Sequence, residues 1–136
     1  MSDLKTLVRQ SVRFGVVGML NTLVGLAAIY SLMFFLDASP GFANAAGYVV
    51  GLSVSFVLNR IWTFGNRQRI VHVLPRYLLV ACCCYLLNLS IVLLSTASKS
   101  ASPYLAQLFG VGPYTITMFL GCRWFVFTTP LPQRHS

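Results

Sequence analysis

Long apolar stretches alternate along this chain with short polar connections. Residues 14–36, 41–59, 77–95 and 104–127 are almost free of charge. A bilayer core about 30 Å thick is crossed by roughly 20 apolar residues in helical form. The pattern therefore predicts an all-α integral membrane protein with four transmembrane helices, at about 14–36, 41–64, 74–95 and 103–127, in one membrane domain covering 1–136. The first stretch is too long for a signal peptide, lacks a small-residue cleavage site and is followed by three more spans, so it is read as a helix.

The polar positions repeat. Shifted by 63 places, Arg13 falls on Arg76, Phe14 on Tyr77, Ala38-Ser39-Pro40 on Ala101-Ser102-Pro103, Gly47 on Gly110, Phe56 on Phe119, Arg60 on Arg123 and Phe64 on Phe127. Units 13–64 and 76–127 thus read as two copies of a helical hairpin. Each has an even number of spans, so the repeats are parallel, related by an axis along the membrane normal. In each copy a Ser-Pro pair opens the returning helix, with Ser39 or Ser102 as cap and Pro40 or Pro103 at the first position, where no N–H is missed.

The second helix carries Ala43, Gly47, Gly51, Ser55 and Asn59 at intervals of four, a small-residue ridge suited to close helix packing in lipid. Gly47, Gly51 and Ser55 are its expected packing residues. The copy in the fourth helix, Ala106, Gly110, Tyr114, Met118 and Cys122, is mostly bulky, and Pro113 is expected to bend that helix. The two halves are therefore expected to differ in job.

Composition agrees with the membrane reading: 57% of residues are apolar and 9% charged, with a net charge of +8. Lys5, Arg9 and Arg13 lie in the N-terminal arm, Arg60, Arg67, Arg69 and Arg76 around the central linker, and Arg123 and Arg134 near the end. The remaining connections hold only Lys99. By the positive-inside rule both termini and the linker face the cytoplasm, where their charge meets anionic lipid rather than nucleic acid. Cys82, Cys83, Cys84 and Cys122 all fall within the apolar stretches, without the spacing of a zinc site or a disulfide framework. No phosphate loop, nucleophile–base pair or carboxylate pair is present, so neither catalysis nor a cofactor or metal is expected.

Within the spans the polar side chains are Asn21, Thr22, Asn44, Ser53, Ser55, Asn88, Ser90, Thr115 and Thr117. Carboxylates are missing there: Asp3 is in the arm and Asp37 at the outer turn. An exporter of cationic drugs needs a buried acid, which makes that class improbable. Arginines with amides suit an anion instead, because a guanidinium fork matches phosphate. Arg60 and Arg123 stand out, since each is followed by aromatic or apolar residues ("IWTF", "WFVF") that set it slightly inside the interface. Trp62 and Trp124 fit an interfacial aromatic belt.

"RFGVVGMLNT" opening the first helix, "SFVLNRIWTF" closing the second, and the Arg76-Tyr77 start of the third with Asn88 further along resemble the GtrA-like family. The similarity runs from about residue 9 to residue 128. The second copy departs from the first in having Cys122 where Asn59 stands and in placing Asn88 one helical turn later than Asn21. The resemblance implies a flippase that moves a polyprenyl-phosphate-linked monosaccharide, such as undecaprenyl-phosphate glucose, across the bacterial inner membrane for O-antigen or other surface-polysaccharide modification. Pathway glycosyltransferases would be its partners. On this reading Arg13, Arg60, Arg76 and Arg123 hold the lipid phosphate, and Asn21, Asn59, Asn88, Trp62 and Trp124 serve the headgroup or sugar path. Four short helices enclose little volume, so a homodimer or larger assembly is expected, with the small ridge of the second helix at a helix contact. The alternative is a non-transporting adaptor that recruits a polysaccharide glycosyltransferase to the membrane.

Overall fold

The computed structural model describes residues 1–99 and 102–128, except for the side chains at 96, 103, 104 and 106–108. Arg134 and Ala101 lie outside the described residues, as does the side chain of Ala106. Helix α1 spans Ser2–Leu36. Helix α2, Pro40–Leu58, runs on into a π-helical turn at Asn59–Thr63. After a short linker come α3, Ile70–Ala97, and α4, Pro103–Gly121, which runs into a second π turn at Cys122–Val126. The chain divides into two compact units, Met1–Arg67 and Gln68–Ser136. In the first, α1 packs along α2; in the second, α3 packs along α4.

Helix α1 begins twelve residues before the expected start, so the basic arm is helical. Its residues Leu4, Lys5, Leu7, Arg9 and Gln10 are good helix formers, and Asp3 sits in the first turn, where a negative charge suits the helix dipole. At 35 residues α1 is about 50 Å long, so it outruns a hydrocarbon core of about 30 Å. Three helices of the described residues, Ser2–Leu36, Pro40–Thr63 and Ile70–Ser95, are long and apolar enough to cross a membrane. The fourth expected span is helical as α4 but is not among these three. Pro75 and Pro113 sit inside α3 and α4, each leaving the carbonyl four residues earlier, Val71 or Phe109, without its helical N–H partner.

The outer turns form as their sequence requires. Ser39 Oγ accepts from Phe42 N–H at 3.4 Å, and Ser102 Oγ accepts from Leu105 N–H at 3.3 Å, each with proline at the start of the helix. Asp37 closes α1 in the left-handed region (φ 48°), its N–H bonding to the Leu32 carbonyl.

The ridge on α2 is buried throughout, and α1 is what it packs against. A Cβ on Gly47 would lie 2.9 Å from the Gly25 carbonyl oxygen and collide with Ile29; one on Gly51 would fall on the Asn21 side-chain oxygen. The ridge is thus filled from within its own hairpin, by α1. The bulky copy on α4 is likewise a packing face. Gly110, Met118 and Cys122 are buried, and a Cβ on Gly110 would fall on Asn88 and lie 3.3 Å from Val92. Both copies are therefore packing faces, built with different side-chain volumes. Away from these seams large apolar side chains stand open, among them Leu23 at 63%, Phe34 at 80% and Leu79 at 56% exposure. So much exposed hydrocarbon fits a chain that lies within a membrane.

Candidate functional site

Each hairpin ends in an arginine-bearing π turn, and the two turns coincide in the repeat register: Asn59–Thr63 and Cys122–Val126. A backbone bond closes each, Phe64 N–H to the Asn59 carbonyl and Phe127 N–H to the Cys122 carbonyl, both at 2.9 Å. The wider turn inserts one extra residue into the helical path and re-aims the side chains that follow it. π turns are rare and concentrate at functional positions.

In the first unit the start of α1 is clamped to this turn. Arg13 lies 5.2 Å over the Trp62 ring, and its terminal nitrogen donates to the Trp62 carbonyl at 2.8 Å. Phe14 meets Phe64 edge-on at 6.4 Å between centroids. The second unit repeats both contacts at shifted positions: Arg76 lies 5.8 Å over Phe125, and Tyr77 packs on Phe127 at 6.3 Å. A guanidinium over a ring still presents edge N–H groups, the donors that grip a phosphate. Arg60 and Arg123, inside the π turns, are half-buried. Trp62 is 41% and Trp124 65% exposed, as belt residues would be.

The asparagines divide into two kinds. Asn59 is 1% exposed, and both ends of its amide are engaged: its nitrogen donates to Ser55 Oγ at 3.2 Å, and Thr63 Oγ1 donates to its oxygen at 3.0 Å. Ser55, Asn59 and Thr63 form a buried polar ladder on one face of α2 and its π turn. Their repeat counterparts Met118, Cys122 and Val126 are equally buried but apolar. Asn21 and Asn88 instead lie between helices, each against a glycine, Gly51 for Asn21 and Gly110 for Asn88. Asn88 stands one turn further along α3, and its glycine is correspondingly one turn nearer the start of α4, so amide and glycine have moved together. The Asn88 side-chain oxygen is buried with no hydrogen-bond partner, which leaves the weak Cα–H donors of Gly110 as its nearest compensation.

Several hydroxyls of the spans are satisfied by their own helix. Thr22, Ser53, Ser90 and Thr115 each donate to the carbonyl four residues earlier, at 2.8–3.1 Å. The π turns, the role of Thr63 and the glycines facing the two asparagines escape a reading of the sequence. The Ser55–Asn59–Thr63 spacing was the available signal for the ladder. No group of His, Cys, Asp and Glu side chains able to hold a metal occurs among the described residues.

Long apolar helices, small-residue seams and lipid-facing hydrocarbon define an all-helical membrane protein. The chain belongs to the family described as GtrA/DPMS, transmembrane domain, whose sequence model matches residues 13–127. The match starts at Arg13 and ends at Phe127, the outer limits of the two repeat units. No curated protein matches the chain significantly.

Proposed function

We propose that this protein is a flippase for a polyprenyl-phosphate-linked monosaccharide, such as undecaprenyl-phosphate glucose, in the bacterial inner membrane. The phosphate is met at the arginine-aromatic turn of a unit, by Arg60 with Arg13 in the first and by Arg123 with Arg76 in the second. Within each unit the sugar follows the amide between its helices, Asn21 in the first or Asn88 in the second, while the prenyl tail stays in lipid. A charged phosphate and a set of hydroxyls lose many kcal/mol of hydration in bare hydrocarbon, so they need such polar stations. Asn59 spends both ends of its amide on Ser55 and Thr63 and lies buried in the π turn that carries Arg60 and Trp62. Pathway glycosyltransferases supply and consume the lipid, which drains the equilibrium outward.

The observation that carries this reading is the twofold arginine-aromatic π turn in a chain of the GtrA/DPMS family whose spans hold no carboxylate. Its test is leaflet-resolved measurement of the lipid-linked sugar in vesicles containing this protein alone. Wild type is expected to speed exchange between leaflets. Arg60→Ala is expected to slow it at least about tenfold with helical content retained, the effect of losing one charged phosphate contact. Vesicles in which wild-type protein gives no acceleration would favour the adaptor that recruits a glycosyltransferase.

A further inference from the structure

A second basic feature lies in the unit Gln68–Ser136, at the entry to α3. A cavity of about 400 Å³ is lined by Gln68, Arg69, His72, Arg76 and Thr128, a volume within the range of small-ligand sites. Arg69 stands just before α3, its carbonyl accepting the N–H groups of His72 at 3.0 Å and Val73 at 3.4 Å. Positions 69, 72 and 76 therefore share one helical face, while Val73 and Tyr77 on the neighbouring stripe are buried. Gln68 donates its side-chain N–H to the Thr128 carbonyl, tying the linker to the segment after the second π turn and fixing the opposite wall. Phe125 under the guanidinium orients Arg76.

Charge decides what such a cavity takes. The sequence has two acidic side chains, Asp3 and Asp37, and both lie in the other unit. Two guanidinium groups and an imidazole thus converge where their own unit offers no side-chain carboxylate. At the start of α3 the helix dipole adds to the positive field. An anionic ligand suits this field.

We propose that this cavity binds a phosphate oxyanion, of a phosphomonoester or phosphodiester, as a site that adjoins the second π-turn arginine-aromatic contact and shares Arg76 with it. Gln68, Arg69 and His72 belong to no transport step described above, and binding is read without transport. The result therefore stands or falls separately from the flippase reading. In the first unit the same register positions are Lys5, Thr6 and Arg9, which lie within the continuous α1.

Histidine-labelled full-length protein carrying His135→Gln shows a single imidazole signal, that of His72, because the chain has only two histidines. The protein is placed in nanodiscs of neutral phosphatidylcholine and titrated with inorganic phosphate. A second set of nanodiscs contains phosphatidylglycerol. A saturable shift with free phosphate in neutral discs identifies a soluble phosphate as sufficient; a shift in the anionic discs that added phosphate does not enlarge identifies a lipid headgroup. In either case Arg69→Gln is expected to weaken the response about tenfold, with Arg69→Lys, which keeps the charge but loses the fork, in between. A His72 signal that moves in neither set, or a response that Arg69→Gln leaves unaltered, overturns the proposal.

Discussion

At the scale of single residues, glycine and asparagine separate the two faces of these helices. Gly47 has no room for a side chain, with the Gly25 carbonyl 2.9 Å from where a Cβ would sit, whereas nothing lies within 4 Å of a Cβ on Gly15. Both are mid-helix glycines in the sequence, and only the fold tells them apart. Gly47→Val is expected to destabilise the first hairpin by about 1–3 kcal/mol through overpacking. Gly15→Ala is expected to be neutral or stabilising by about 0.5–1 kcal/mol, the helix cost of glycine. Thermal unfolding in detergent micelles checks the pair, and equal effects from both would mean that the α1–α2 seam is not as tight as described. The ridge was legible in the sequence because small residues at four-residue spacing point one way on a helix. Its partner was not, since in lipid an apolar face gives no sign of whether protein or hydrocarbon covers it.

At the scale of elements, the two π turns show what a periodic reading passes over. Ser55, Asn59 and Thr63 lie four apart, which stacks them on an α-helix or through a π turn alike, so the spacing announces the ladder and hides the extra residue. The hairpins, their Ser-Pro caps and the arginine-aromatic endings were visible because they depend on local chemistry repeated at 63-residue intervals. The π turns and the contacts from Arg13 to Trp62 and from Arg76 to Phe125 were not, because they depend on how a helix start meets a helix end. The second hairpin forms the same turn over Met118, Cys122 and Val126, so the ladder's hydrogen bonds are not required for the turn itself. Asn59→Ala removes the acceptor of the Thr63 hydroxyl and the donor to Ser55 Oγ, and is expected to cost about 1–3 kcal/mol. The combined Ser55→Ala, Asn59→Cys and Thr63→Val variant removes all three partners together and is expected to recover much of that loss. Unfolding of the single and triple variants decides the matter: a triple variant that loses the sum of three separate penalties would show that the ladder does more than satisfy itself.

At the scale of the whole molecule, charge orients the chain in its membrane. Of ten lysines and arginines, all but Lys99 belong to the N-terminal arm, the central linker with the helix ends that flank it, or the C-terminal end; Lys99 stands at the α3–α4 turn. By the positive-inside rule those nine are expected on the cytoplasmic face, where short basic segments are retained during insertion. The proposed capture of phosphate depends on this, because export requires the headgroup to be met on that face. With the four cysteines replaced by alanine, Lys99→Cys is expected to react with a membrane-impermeant maleimide added outside intact cells. Ser2→Cys and Arg67→Cys, both at exposed positions, are expected to react only after the membrane is opened. The opposite pattern would set the π-turn arginines at the outer leaflet. They would then meet the headgroup after crossing rather than before it, and the protein would act in retrieval or release instead of export.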